Sequence, residues 1–143
     1  MRTPAFFVLL CALAAAPVCA TDVGRVKTAS GPVHIERAGQ RLPAAIDAGI
    51  QSSDTVVTGP GGSVGITFID NSRLSAGPNS TLVINRYAFD QTTHAGTMDA
   101  TLKRGSLAIV SGRLAKQSPE AVTVRTSTMI LGVRGTEFLV YAE

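Results

Sequence analysis

The sequence predicts an all-β fold of short antiparallel strands, wound as a twisted sandwich or a solenoid-like coiled sheet. Three observations carry this. Through residues 54–84, Val64, Ile66 and Phe68 alternate with Gly65, Thr67 and Ile69, the period-2 pattern of a strand with one face turned to a core. Runs of turn-forming residues punctuate the chain: Gly59-Pro60-Gly61-Gly62, Asp70-Asn71-Ser72 and Gly77-Pro78-Asn79-Ser80. No segment offers several turns of apolar residues at helical spacing with capping signals at both ends. Aromatic residues are only 5% and tryptophan is absent, so the core must rest on Val, Ile, Leu and a few Phe, which favours strands.

Taken in order, residues 23–26 begin a first strand and residues 28–31 turn it. Val33 and Ile35 alternate with His34 and Glu36, which places His34 on the solvent side. Ala38-Gly39-Gln40 turns the chain, and residues 42–50 read as a loop with a few core contacts. Residues 54–58 lead into the central stretch, where strands are expected around Val64–Phe68, Leu74 and Leu82-Val83-Ile84, continuing to Phe89. Residues 90–96 are polar and read as an exposed loop that carries His94. Residues 98–102 resume a strand, and Lys103-Arg104-Gly105-Ser106 reads as a tight turn. Leu107-Ala108-Ile109-Val110 is apolar at every position, the pattern of a strand covered on both faces. Residues 111–120 read as a loop with a small basic grouping at Arg113 and Lys116. Alternation returns at residues 122–126, and strands at 129–133 and 138–141 complete the pattern.

Residues 1–20 have the anatomy of a cleavable signal peptide: Arg2, an apolar run over 5–16, and small residues at Val18 and Ala20 before the cleavage point. The run is shorter than the roughly 20 apolar residues a membrane-spanning helix needs. Lipidation of Cys19 is the minor alternative, disfavoured by the bulk of Val18, and an uncleaved anchor is another. Both cysteines, Cys11 and Cys19, lie in this leader. The remaining single domain, 21–143, would be an exported fold held by its core without disulfides.

This composition excludes several function classes. With two histidines and no cysteine outside the leader, neither a soft-metal site nor thiol chemistry is expected, and no cofactor site is read. A net charge of +3 and a pI near 9.2 permit weak attraction to polyanions, but no Lys/Arg cluster interleaved with aromatics marks a nucleic-acid surface. Residues 59–63 resemble a phosphate-cradling loop only superficially. They lack the Gly-Lys-Ser/Thr ending, and a strand follows where a helix is required. Asp54 and Asp70 have the residue type for a general acid and base, yet both stand at strand ends, where a carboxylate caps its own backbone. Gly59, Asn71, Gly77, Asn79, Gly105, Gly135 and Thr136 read as turn and motif residues. Arg134 has two readings: a contact to a partner's carboxylate or phosphate, or a tie from the last strand to Asp54 or Asp70.

Five motifs together resemble the FecR domain, found in the periplasmic parts of iron-transport regulators and in stand-alone exported proteins. They are Asp54-Thr55-Val56-Val57-Thr58-Gly59, Phe68-Ile69-Asp70-Asn71-Ser72, Gly77-Pro78-Asn79-Ser80, Leu102-Lys103-Arg104-Gly105 and Val133-Arg134-Gly135-Thr136-Glu137-Phe138. The chain departs from the family pattern at Ser53-Asp54, where Gly-Asp is frequent, and at Asp70-Asn71, where Asp-Gly is frequent. The resemblance implies a periplasmic interaction or signalling module. In the regulators a sigma-factor-binding segment and a membrane helix precede the domain. Here a signal peptide stands in that place, so the chain is not expected to hold a sigma factor itself. The expected partner is an envelope protein or another cell-envelope component, recognised by strand addition at a sheet edge. The alternatives are a self-associating envelope scaffold and an envelope hydrolase, the latter without a nucleophile–base motif.

Overall fold

The structure is a computed structural model that describes residues 21–132 and 137–142, with Phe138 described by its backbone. The signal peptide read in residues 1–20, and the motif residues Arg134, Gly135 and Thr136, lie outside the described residues. The strands are β1 (Gly24–Ser30), β2 (Val33–Arg37), β3 (Gln40–Pro43), β4 (Gly49–Ile50), β5 (Thr55–Thr58), β6 (Ser63–Phe68), β7 (Arg73–Ala76), β8 (Thr81–Phe89), β9 (Gly96–Val110), β10 (Val122–Arg125), β11 (Ile130–Gly132) and β12 (Glu137–Ala142). A short helix α1 (Arg113–Gln117) and a 3-10 turn (Pro119–Ala121) separate β9 from β10. All-β is the observed class, and the strands form a mostly antiparallel, curled half-barrel sheet.

The sheet has two wings that share β9. One wing runs β4-β1-β6-β7-β9-β12, using residues 105–110 of β9. The other runs β3-β2-β5-β8-β9-β10-β11, using residues 96–104. Among the described residues only the β9–β10 pair is parallel. Four of the bends between the wings fall on turn motifs: Gly31 and Pro32 between β1 and β2, residues 59–62 between β5 and β6, residues 77–80 between β7 and β8, and Gly105 within β9.

These corners stack into a hydrogen-bonded column. Gly59 N donates to Pro32 O (2.8 Å), Asn79 N to Gly59 O (3.2 Å) and Gly77 N to Ser106 O (3.1 Å). Two buried hydroxyls join neighbouring corners: Thr58 Oγ1 donates to Gly77 O (2.6 Å) and accepts from Ser80 N (2.8 Å), and Ser80 Oγ accepts from Ser106 N (3.0 Å). Backbone groups that leave a ladder at a bend must find other partners, and the column supplies them.

Gly105 explains why the expected tight turn at 103–106 is a corner inside one continuous strand. Its φ of +95° suits glycine, and a Cβ there would fall 2.5 Å from Ser80 Cα. Gly61, at φ +71° behind Pro60, closes a turn in which Gly62 N donates to Gly59 O (3.0 Å), the arrangement of a type II turn.

Other expectations are corrected. Residues 42–50, read as a loop, supply the end of β3 and all of β4. Such short edge strands are decided by their partners β2 and β1 rather than by an alternating pattern of their own. Within residues 111–120 lies the single turn of α1. Val110 is 37% exposed, so residues 107–110 are not covered on both faces, and only Leu107 and Ile109 are buried.

The core lies between the wings. Val26, Ile66, Leu74 and Ile109 of the first wing and Ile35, Val56, Leu82 and Leu102 of the second belong to one buried cluster. Phe68 stacks on Tyr87 across it, with ring centroids 4.8 Å apart. Each such side chain contributes about 1.5–3 kcal/mol of apolar burial.

Ser53 adopts φ +74°, the left-handed conformation that costs a residue with a Cβ about 1 kcal/mol or more. Its side chain is exposed. Ser53→Gly is therefore expected to stabilise the protein by about 0.5–1 kcal/mol after allowance for glycine's larger unfolded-state entropy. Urea denaturation checks this, and an unchanged or lower midpoint would refute it.

Candidate functional site

Two buried carboxylates hold the ends of the strands that precede and follow the 59–62 corner. Asp54 is fully buried and accepts from Arg37 Nε (2.8 Å), Arg37 Nη2 (2.7 Å) and Gln51 N (2.9 Å). Arg37 Nη2 also donates to Gly49 O (3.0 Å). The two-pronged contact with Asp54 holds the Arg37 guanidinium above its ordinary pKa against a smaller opposing effect of burial. Arg37 shares the phase of Val33 and Ile35 along β2, so an arginine at an inward-facing position was the signal for this pair.

Asp70 is fully buried in the loop between β6 and β7. Its Oδ1 accepts from Tyr87 Oη (2.7 Å) and Ser72 N (3.1 Å), and its Oδ2 accepts from Ser72 Oγ (2.6 Å) and Leu114 N (3.1 Å). Asp70 O also takes Arg113 N (2.8 Å). A loop carboxylate thus replaces a local cap for α1, whose Gly112 offers no side-chain cap. This distant partner is why the helical turn could not be read locally. Tyr87 escaped the sequence reading because β8 slips register between Ile84 and Arg86, which shifts the inward phase to position 87.

Burial, and then the hydrogen bond to the Asp70 carboxylate, push the Tyr87 phenol far above its usual pKa. A raised folded pKa contributes stability that is complete below the unfolded value near 10 and is lost as pH rises above it. Between pH 8 and pH 11 the protein should therefore lose about 1.4 kcal/mol more than Tyr87→Phe does. Urea titrations of both proteins at the two pH values check this, and parallel losses would contradict it.

The other expected motif residues lie at bends. Asn71 has φ +68° and Asn79 φ +54°, the conformation asparagine tolerates best after glycine. Gly59, Gly77 and Gly105 belong to the corner column. His34 is half-buried, its Nε2 lying 3.2 Å from Glu36 Oε1. His94 sits in the 90–95 loop and stacks on Phe89 at 5.8 Å. In the same loop, backbone amides of Thr93 and Thr92 hold the Asp90 carboxyl below its ordinary pKa.

These placements bear on chemistry. The Asp54 and Asp70 carboxylates belong to two separate networks, and each meets protein donors on both oxygens or along one edge, sealed from solvent. Among the described residues no three His, Cys, Asp or Glu side chains converge as a metal site. No described helix is long and apolar enough to cross a membrane.

The sheet edges are better placed to act. Among the described residues, β3, β4, β11 and β12 each pair on one side only. β3 carries Arg41 and Pro43, and β4 and β11 are two and three residues long. β12 is six residues long, with neither proline nor a basic residue, and exposes Leu139 (63%) and Tyr141 (71%). Tyr141 and Ala142 also border an open groove of about 540 Å³ beside Gly105 and Thr126, Ser127 and Thr128.

The family described as FecR protein matches residues 54–143, from the buried Asp54 through the edge strand β12. Neither the curated proteins nor the solved structures contain a significant match to the chain. Residues 21–53 precede the matched span yet supply β1 to β4, which pair into both wings. The family is regulatory and signalling in character, typically periplasmic, and engages other proteins. The chain belongs to the FecR family.

Proposed function

We propose that this protein is a non-catalytic periplasmic interaction module, exported by the leader at residues 1–20, that receives an extended segment of an envelope protein by strand addition along β12. The observation that carries the proposal is the contrast among edges. Natural sheets blunt their edges with charge, proline or brevity. Among the described residues β3, β4 and β11 follow that rule, whereas β12 carries a charge only at its first residue, Glu137, and presents a longer edge with Leu139 and Tyr141 exposed beside it. An added strand would gain main-chain hydrogen bonds from the edge and side-chain selectivity from Leu139 and Tyr141.

In-cell crosslinking of a tagged full-length chain, followed by mass spectrometry of the envelope fraction, tests this. A dominant link to one envelope protein should fall by at least about tenfold in Leu139→Lys/Tyr141→Lys. It should survive Ile46→Lys, which changes an apolar residue of similar exposure away from this edge. A link indifferent to the β12 double variant would refute the edge assignment. Links only between copies of the chain would replace this reading with the scaffold.

A further inference from the structure

The outward face of β1, β6 and β7 carries a second feature, separated by β9 from Glu137 and Leu139 of β12 on the same face. Arg25, Thr67 and Arg73 lie side by side across the three strands, and in the next row Thr28, Gly65 and Ser75 do the same. Between Val26 and Thr28 the ladder slips, so Lys27 and Thr28 are consecutive exposed residues in a strand that otherwise alternates. A bulge re-aims side chains in this way. Here it adds Lys27 to the face that holds the two arginines.

The outcome is an open groove of about 470 Å³ lined by Lys27, Thr28, Gly65, Thr67, Arg73 and Ser75 and by the otherwise buried Ile66 and Leu74. Arg25 borders a depression that continues it past Lys27 and Thr67. The floor depends on Gly65, because a Cβ there would lie 2.5 Å from Thr28 Oγ1 and 3.9 Å from Ser75 Oγ. Among the described residues, none of the three cations has a carboxylate within ion-pair distance. Asp22 lines the second depression with Arg25 and Lys27, and its carboxylate lies over Gly49, the residue paired with Arg25, where it accepts from Gln51 Nε2.

A groove of this size falls within the range of small-ligand sites, about 300–1,000 Å³. Three cations without an ion pair among the described residues select an anion, and three hydroxyls that both donate and accept suit a ligand rich in hydroxyls. A peptide backbone fits poorly. β6 is paired on both sides, so the groove offers no ladder of backbone donors and acceptors. A bilayer fits poorly as well, since the exposed side chains of these strands are Arg, Lys, Thr and Ser, with no apolar anchor.

We propose that this groove binds an anionic saccharide, with its carboxylate or phosphate between Arg25, Lys27 and Arg73 and its ring hydroxyls on Thr28, Thr67 and Ser75. Calorimetric titration of protein recovered after expression of the whole chain tests this. The probes are tetragalacturonate, a phosphomannan oligosaccharide, neutral maltotetraose and tetraglutamate. One or both anionic saccharides should bind, distinguishing the carboxylate from the phosphate source, and each control should bind at least about tenfold more weakly.

Gly65→Ala keeps every charge and displaces only a threonine hydroxyl. It should weaken binding by at least about tenfold, as should Arg25→Gln/Lys27→Gln/Arg73→Gln at exposed positions that leave the core untouched. Lys103→Gln/Arg104→Gln/Lys116→Gln, which removes equal charge elsewhere, should leave binding unchanged. No binding of either anionic saccharide would overturn the proposal. So would tetraglutamate or maltotetraose binding equally well, or equal losses from the two triple variants.

Discussion

Asp70→Ala is expected to destabilise the protein by about 3–5 kcal/mol, the largest effect of any single substitution considered for this chain. The carboxylate accepts four hydrogen bonds at full burial, from Tyr87, Ser72 twice and Leu114. Alanine would strand the phenol, the Ser72 hydroxyl and two backbone amides in a dry interior, and each buried orphan costs about 1–3 kcal/mol before relaxation. For a domain of this size the melting temperature should fall by about 12–19 °C. Tyr87→Phe keeps the ring stack on Phe68 and removes one donor, so it should cost only about 1–2 kcal/mol. Thermal denaturation of the two variants separates the readings: equal losses would mean that the carboxylate serves Tyr87 alone and that the loop and α1 contacts contribute nothing.

Arg37→Met should cost about 2–4 kcal/mol, because it leaves the Asp54 carboxylate buried without its counter-charge. The methionine preserves the apolar stem, so the loss reports the guanidinium contacts to Asp54 and Gly49. Arg37→Met/Asp54→Asn removes both charges together and should recover at least about 1 kcal/mol of that loss. Chemical denaturation of the singles and the double checks this. Strictly additive losses would show that the two side chains do not act as a pair.

The strand content and most bends were legible because they depend on local chemistry. Alternation at Val64, Ile66 and Phe68 and the Gly-Pro-Gly-Gly and Gly-Pro-Asn-Ser runs impose their geometry within a few residues. The stacking of those bends was not legible, since it is made by contacts between distant corners, such as Thr58 with Gly77 and Ser80 with Ser106. Lys103-Arg104-Gly105-Ser106 shows the difference. Its glycine does reverse the local backbone sign, but partners on either side of β9 carry the strand through.

The carboxylates were found by type and position, while their partners Arg37, Tyr87 and Leu114 are separated from them by 17 to 44 residues. The sequence leads to an expectation of strand addition at a sheet edge but names no edge. Which edge is open depends on pairings that no local pattern encodes.

The most direct test of the central claim places a photoreactive residue at Leu139 of β12 and, separately, at Arg41 of β3, in cells expressing the full chain. Strand addition at β12 predicts one dominant adduct with an envelope protein from position 139 and none of comparable yield from position 41. Equal yields from both edges, or an adduct from position 41 alone, would contradict recognition along β12.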